Sequence, residues 1–428
     1  MWSIPALECC DACVDGNIDH ADAETAVEWV SLAMSRYIKH SYRPLEELGV
    51  DLSTSAGYPM KRKYANKGEY YAAVDWRTIY ERVDREDWLD VWDVFPKHEI
   101  LKFEKAVEKV RIICGSPADL FAMGAELYRE GDESMSANTF KGGSAIGLNP
   151  FSGGWNSLAM GLGSRVDEAD CKQWDSRMHS YWWGLVYRVH WNLMPSEMRT
   201  DTIWRRHLYY LRSLQEGLMH SPSGDIHYRF GGHPSGSART CHDNTMGHMI
   251  LTAYCFIRGG ADYVQWVNWF KALMGDDFIS STLTNEVPEF WEFYREFGVN
   301  LPEVKRDIPL TQSSFLSNGF LHTRWGWMPR PVPERGLFSF YSGDTKEIYT
   351  MGEQRCIGLW LVYFWTPARQ IMRAAAEERG YFIPPDWAGI ACWTGLISAN
   401  TLCRLPRESP QWGDLWIRFR RRKVNGRK

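Results

Sequence analysis

The stretch KALMGDDFISS, residues 271–281, limits what this chain can fold into more than any other. An apolar run stops at Gly275, two acids stand side by side at Asp276 and Asp277, and the run resumes at Phe278 and Ile279. Adjacent carboxylates repel, and successive side chains of a strand point to opposite faces, so this pair needs an explanation inside an apolar segment. A tight hairpin turn is one, with Gly275 supplying the backbone angles and both acids carried to an exposed tip. An ordinary surface turn fits the same residues, because Gly-Asp is common in loops. On this stretch alone both readings stay open.

At 428 residues the chain has room for two or three subdomains and a sizeable core. Its 44% hydrophobic and 24% charged residues are ordinary for a globular protein. No apolar run approaches the length of a membrane span, and the N-terminal MWSIPALECC lacks the basic-then-apolar layout of a signal peptide. A net charge of -4 leaves any binding of nucleic acid to local basic patches. The 22 tryptophans are expected mainly in packing, with some available to stack on bases. Ten scattered cysteines argue for free thiols; Cys9, Cys10 and Cys13 resemble half of a zinc site, but no second half with matching spacing follows.

Along the chain, Val27, Val30, Met34, Tyr37 and Ile38 fall at helical spacing over 22–40, behind Asp22 as a cap. Residues 51–68 are rich in Gly, Ser and Lys and read as loop, and 97–113 are strongly charged before turning apolar at RIIC. Glycines cluster at 142–163, which is expected to break regular structure and to mark a subdomain crossing. Helical patterns dominate from about 330 onward, and the basic tail RFRRRKVNGRK suits a solvated end, RNA or an acidic membrane surface.

Two further polar constellations precede the acid pair. In VDEADCKQWDSRM, residues 166–178, a strand ending near Asp170 and a turn into a helix would bring Asp170 and Asp175 to one site. Asp175 also suits a helix start for purely structural reasons. Asp167 and Glu168 compete as ligands, and Asp170 is preferred as the acid at the strand end. In GGHPSGSARTCHDNTMGHM, residues 231–249, a Ser-Gly loop leads into a helix from Ser237, on which Thr240 and Asn244 share a face. Surface polarity of a helix would account for that stripe equally well.

Asp170 with Asp175, the Ser-Gly loop with Thr and Asn, and the Gly-Asp-Asp turn follow one another at spacings of about 65 and 40 residues. In order and spacing they resemble motifs A, B and C of viral RNA-dependent RNA polymerases. DLSTSAGYP (51–59) is similar to the template-entry motif G of the picornavirus-like enzymes, and KHEILKFEKAVEKVRIICGSP (97–117) to their motif F. Lys305 falls where motif D carries its lysine, and FLSNGF (315–320) resembles motif E, although Ser317 and Asn318 stand where a basic residue is usual. The form GGHPSG…T…DN is similar to astrovirus-like relatives. The resemblance spans roughly 50–320 and places the chain among positive-strand RNA virus polymerases of the picornavirus-like and astrovirus-like kind.

That resemblance implies an α+β right hand with an antiparallel palm sheet. Fingers would occupy 1–163 (motifs G and F), palm 164–190 (motif A), a fingers insertion 191–230, palm 231–330 (motifs B to E) and thumb 331–428. It implies template-directed RNA synthesis with two Mg2+ ions, replaceable by Mn2+, held by Asp170, Asp276 and Asp277, since hard oxygen ligands suit such ions. Shared dications would cancel the repulsion between the adjacent acids. Lys305 would donate a proton to the departing pyrophosphate. Lys97, Lys105, Lys109 and Arg111 would meet the triphosphate. Asp175, Ser235, Thr240 and Asn244 would sense the ribose 2′-hydroxyl, and Thr54, Ser55, Gly57, Pro59 and Gly236 would line the RNA path. Implied partners are an RNA template and nascent strand, ribonucleoside triphosphates, a protein primer and other viral replication proteins, at membrane-associated replication complexes in the host cytoplasm.

Two rivals come with discriminators. A reverse transcriptase-type palm enzyme usually has an aromatic two residues before the acid pair, where this chain has Met274, and would incorporate deoxynucleotides. A polymerase-fold protein that binds RNA without catalysis would lack a metal acid, and none is missing.

Overall fold

The computed structural model describes residues 18–44, 47, 51–85, 90–97, 112–283, 287–342 and 345–425. The chain divides into two compact units: Met1–Gly147 with Ala169–Phe278 and Leu283–Val304, and Leu148–Glu168 with Ile279–Thr282 and Lys305–Lys428. The architecture is mixed, helices with small sheets built largely from antiparallel pairs.

The strands are β1 (Val91–Pro96), β2 (Ile112–Gly115), β3 (Arg165–Lys172), β4 (Glu216–His220), β5 (Ile226–Phe230), β6 (Lys271–Met274), β7 (Asp277–Ser281), β8 (Asn300–Pro309), β9 (Ser314–Phe315), β10 (Asn318–Thr323) and β11 (Gly326–Pro331). They form sheets in the orders β2-β1-β4-β5, β6-β7-β3-β8 and β11-β10-β9. In the first sheet β1 is antiparallel to β2 and parallel to β4.

The first unit packs β1, β2, β4, β5 and β6, with the parts of β3, β7 and β8 that fall in it, on α1 (His20–Met34), α2 (Ala118–Ala137), α4 (Ser180–Leu193), α5 (Asp201–Gln215), α6 (Thr240–Arg258) and α7 (Phe290–Glu296); α3 (Gly154–Leu162) belongs to the second. Helix α6 is buried on every side from Asp243 to Phe256, so each polar side chain on it needs a partner inside the protein. The second unit holds the β11-β10-β9 sheet and the helices α8 (Pro333–Ser342), α9 (Thr345–Val362), α10 (Ala368–Glu378), α11 (Asp386–Trp393), α12 (Ala399–Arg404) and α13 (Gln411–Asn425). Its core gathers Trp360, Phe364, Met372, Ala391 and Trp393. The helical reading of the last hundred residues holds, and no helix among the described residues is long and apolar enough to cross a membrane.

Several local expectations need correcting. Helix α1 runs over His20–Met34 and is capped by Asp19, whose carboxylate accepts from the Ala21 and Asp22 amides; Asp22 sits in the first turn, where its charge favours the helix without capping it. The glycine-rich 142–163 segment contains α3, because Gly153 (φ 88°) and Gly163 (φ 80°) stand at its two ends. The boundary between the units does fall within this segment, after Gly147. The 51–68 loop includes a short 3-10 turn at Met60–Arg62 and the start of a helix at Lys67.

Trp92, Trp155, Trp182, Trp183, Trp266, Trp360 and Trp393 are fully buried, the packing role expected of them. The described cysteines are free thiols. Cys9, Cys10 and Cys13 lie outside the described residues.

Candidate active site

Strand β6 ends at Met274 and β7 begins at Asp277, so Gly275 and Asp276 form a two-residue turn. The positive φ, 66°, falls on Gly275 and not on Asp276, the distribution of a type II′ hairpin turn. Asp276 and Asp277 are both exposed, with Phe278 and Ile279 buried immediately behind them. The hairpin carries two carboxylates out of an otherwise apolar layer.

Strand β3 lies next to β7. It continues to Lys172, so Asp170 is inside the strand and not at its end; alternation along the pleat is what exposes it, between buried Ala169 and Cys171. The competing acids have other work. Buried Asp167 accepts from the Asp307 amide at 2.8 Å. Glu168 pairs with Lys305 Nζ at 3.1 Å and accepts from the Ser314 amide at 2.8 Å. Asp170 makes no hydrogen bond or ion pair among the described residues. All three candidate acids act on the Cys171 thiol: burial pushes it up most, and the charges of Asp276, Asp170 and Asp277 push the same way.

These carboxylates are hard oxygen donors, the type a divalent ion that keeps several of its waters requires. Among the described residues no three acid, thiol or imidazole side chains already converge on one point. Asp170, Asp276 and Asp277 therefore fit such an ion by donor type and exposure, as an open edge.

After β3, Gln173 (φ 57°) turns the chain into the short helix Trp174–Arg177, with Asp175 in its first turn. Asn244, buried on α6, donates from Nδ2 to Asp175 Oδ1 at 2.9 Å, and its own Oδ1 is buried with no hydrogen-bond partner. The 231–236 loop reaches the same place, where the His233 amide donates to the Asp175 carbonyl. Ser235 Oγ lies 3.3 Å from the Ile112 carbonyl and 3.4 Å from the Cys114 amide. Thr240 is turned away from Asn244: its hydroxyl faces the Ser237 and Ser235 carbonyls at 2.9 and 3.0 Å, closing the loop onto the start of α6. Asp175 and Asn244 thus meet directly, while Thr240 supports the loop that carries Ser235 and Gly236.

The proposed RNA-path residues show structural reasons of their own. A Cβ on Gly236 would stand 2.3 Å from the Cys114 carbonyl oxygen, so the loop lies against β2 only with glycine there. Gly57 combines φ 73° with a Cβ position 2.7 Å from the Ser116 carbonyl oxygen. Thr54 Oγ1 accepts from Lys67 Nζ, Ser55 Oγ accepts from the Gly57 amide, and Pro59 is exposed. Lys97 is exposed at the end of β1. Lys105, Lys109 and Arg111 lie outside the described residues.

Four features were not singled out in the sequence. Arg239, 1% exposed, pairs with Asp132 at 2.9 Å and with Asp243 at 2.8 Å, and lies 4.1 Å over the Tyr128 ring. Burial works against its charge, but Asp132 and Asp243 outweigh it and raise the guanidinium further. Lys271, at the head of the acid hairpin, is buried; burial pulls it down to about 7, while its Nζ donates to the Trp266 carbonyl and sits over the Trp266 and Trp269 rings. Thr245 and His248 on α6 both bond the Gly275 peptide. Burial lowers His248 to about 4, keeping it neutral. The available signal was charge and polarity on a segment that is buried all round.

A carboxylate hairpin thus stands beside a third exposed acid, with an Asp175–Asn244 pair joining the short helix after β3 to α6. A profile of viral RNA-dependent RNA polymerases matches residues 26–342, and the chain belongs to that family, whose members generally use divalent metal ions. It is 25% identical over 278 residues, 62% of its length, to the non-structural polyprotein 1AB of human astrovirus-1, and 24% identical over 70% of its length to the corresponding protein of ovine astrovirus 1. The genome polyprotein of tobacco vein mottling virus is 24% identical over 75% of the chain. The matches span only 19%, 24% and 11% of those polyproteins. The relationship is that of an astrovirus-like positive-strand RNA virus polymerase.

Proposed function

We propose that this chain copies an RNA template into RNA by nucleotidyl transfer, with Asp170, Asp276 and Asp277 holding two Mg2+ ions. The observation that carries this reading is the exposure of those three carboxylates, on β3 and at the β6–β7 turn into the neighbouring strand, while Asp167 and Glu168 are engaged elsewhere. When bound, such ions activate the 3′-hydroxyl and absorb the charge of the leaving pyrophosphate. The unpartnered Asn244 Oδ1 and the Asp175 carboxylate offer hydrogen-bonding capacity to a ribose 2′-hydroxyl, which both donates and accepts. Ser235 and Gly236 sit on the loop that Thr240 closes. Lys305 is the candidate proton donor to pyrophosphate, and its ion pair with Glu168 must open for that. Lys97, Lys105, Lys109 and Arg111 are assigned to the triphosphate, and 51–59 to the entering template.

In the same reading the chain is a right hand, with fingers from 1–163 and 191–230, palm from 164–190 and 231–330, and thumb from 331–428. Its partners are RNA and ribonucleoside triphosphates, with a protein primer and other viral proteins at membrane-associated replication complexes. The test is extension of a labelled RNA primer on an RNA template with Mg2+. Ribonucleotide-dependent extension is expected, with deoxynucleotides poorly used. Efficient deoxynucleotide incorporation would favour the reverse transcriptase-type reading, and absence of extension by folded protein on primed, unprimed and protein-primed templates would favour RNA binding alone.

A further inference from the structure

The Gly275 peptide, immediately before Asp276, is held at both ends by helix α6. Its N–H donates to Thr245 Oγ1 at 2.9 Å, and its carbonyl lies 2.9 Å from His248 Nδ1. A carbonyl only accepts, so Nδ1 carries the proton of the neutral imidazole and Nε2 presents a lone pair. Tyr294 on α7 meets that lone pair with its hydroxyl. The hydroxyl's single proton is then committed to His248. A continuous relay, Tyr294–His248–Gly275, therefore ties α7 through α6 to the residue before Asp276. Thr245 is anchored in turn by donating to the Cys241 carbonyl at 2.7 Å. Trp174 and Phe278 pack on the His248 ring, with centroids at 4.6 and 5.7 Å. His248 is fully buried.

We infer that His248, Tyr294 and Thr245 are positioning residues for the metal-binding acids of the hairpin: together they fix the Gly275–Asp276 turn on α6, and so set where the Asp276 and Asp277 carboxylates stand. None of the three side chains needs to touch metal or substrate. An acid edge with no preassembled ligand cluster depends on such outer partners to hold its spacing, and a tautomer fixed by the hydrogen bond at the other ring nitrogen is how a histidine transmits geometry. The inference rests on the proposed metal-binding role of Asp170, Asp276 and Asp277.

The test is Mn2+ binding to the full chain, measured by calorimetry, for native protein, Asp276→Ala, Tyr294→Phe, His248→Phe and His248→Asn. Tyr294→Phe and His248→Phe keep the ring packing and remove the hydrogen bonds, and should weaken Mn2+ binding by about tenfold, the low end of the effect of losing an outer-sphere partner. His248→Asn retains a donor near Nδ1 and should recover part of the loss. The half-saturating Mg2+ concentration in primer extension should shift in parallel, with the nucleotide KM at saturating Mg2+ unchanged. Native Mn2+ affinity in folded Tyr294→Phe and His248→Phe, alongside lost affinity in Asp276→Ala, would overturn the relay and leave the metal reading standing. Equal Mn2+ binding by native protein and Asp276→Ala would overturn the metal reading itself. If His248→Phe does not fold, Tyr294→Phe, which removes one oxygen, decides the matter.

Discussion

Asn244 and Asp175 are joined by a hydrogen bond of 2.9 Å that ties the middle of the polymerase signature, on buried helix α6, to the first turn after β3. The contact uses one oxygen of Asp175 and one N–H of Asn244, leaving the Asn244 carbonyl oxygen buried and unpaired. A buried polar atom without a partner is unfavourable, and an incoming hydroxyl relieves it. Asn244→Ala should therefore lower the preference for ribonucleotides over deoxynucleotides by about 10- to 100-fold, the effect of one or two lost hydrogen bonds to a substrate hydroxyl. The ratio of kcat/KM for a matched ribo- and deoxyribonucleotide measures it. An unchanged ratio would remove Asn244 from sugar selection.

The buried guanidinium of Arg239 sets up a stability prediction. Arg239→Met leaves the carboxylates of Asp132 and Asp243 without their countercharge inside the protein. Breaking one side of such a pair typically costs about 3–5 kcal/mol. Urea unfolding should show a loss of that size, and a loss below about 1 kcal/mol would mean the cluster is solvated.

Lys271 makes stability depend on pH in a defined window. Its folded value, near 7, lies below the ordinary 10.5, so between these limits the unfolded chain binds a proton that the folded chain does not. Its contribution is therefore most favourable at high pH and declines as pH falls toward 7, by about 1.4 kcal/mol per unit. The unfolding free energy of native protein minus that of Lys271→Met should grow by about that much from pH 7.5 to 8.5. A flat difference would place the ammonium in its charged state throughout, held by Trp266 and Trp269.

Gly236 and Ser235 should behave differently although they are neighbours. Gly236→Ala pushes a methyl group to 2.3 Å from the Cys114 carbonyl oxygen, and overpacking of that kind costs about 1–3 kcal/mol. Ser235→Ala gives up only the long contacts at 3.3 and 3.4 Å, and should cost less than about 1 kcal/mol in urea unfolding. Equal losses would show that the loop does not lie against β2 as described.

Much of the site was legible because its residues are close in sequence or constrained by a repeat. Gly275 with its two acids is a local pattern, and a two-residue turn follows from local chemistry. Asp170 was preferred over Asp167 and Glu168 as the acid at the strand end, whereas its exposure comes from alternation within β3, and the rivals are engaged by Asp307, Lys305 and Ser314, all distant in sequence. Thr240 and Asn244 do lie one turn apart on α6, but spacing alone says nothing of which way a hydroxyl bonds, and Thr240 bonds its own loop. Arg239, Asp243, His248 and Lys271 were passed over because their partners, Asp132, Tyr294 and Trp266 among them, are set by packing between elements.

In the proposed function Asp276 serves template-directed synthesis by holding a catalytic ion. The most direct measurement is extension of a labelled RNA primer on an RNA template with Mg2+ by native protein and by Asp276→Ala, both checked for folding. Loss of a metal ligand removes several kcal/mol of transition-state stabilisation, so extension should fall by about a thousandfold or more. Equal extension by the variant would remove Asp276 from catalysis.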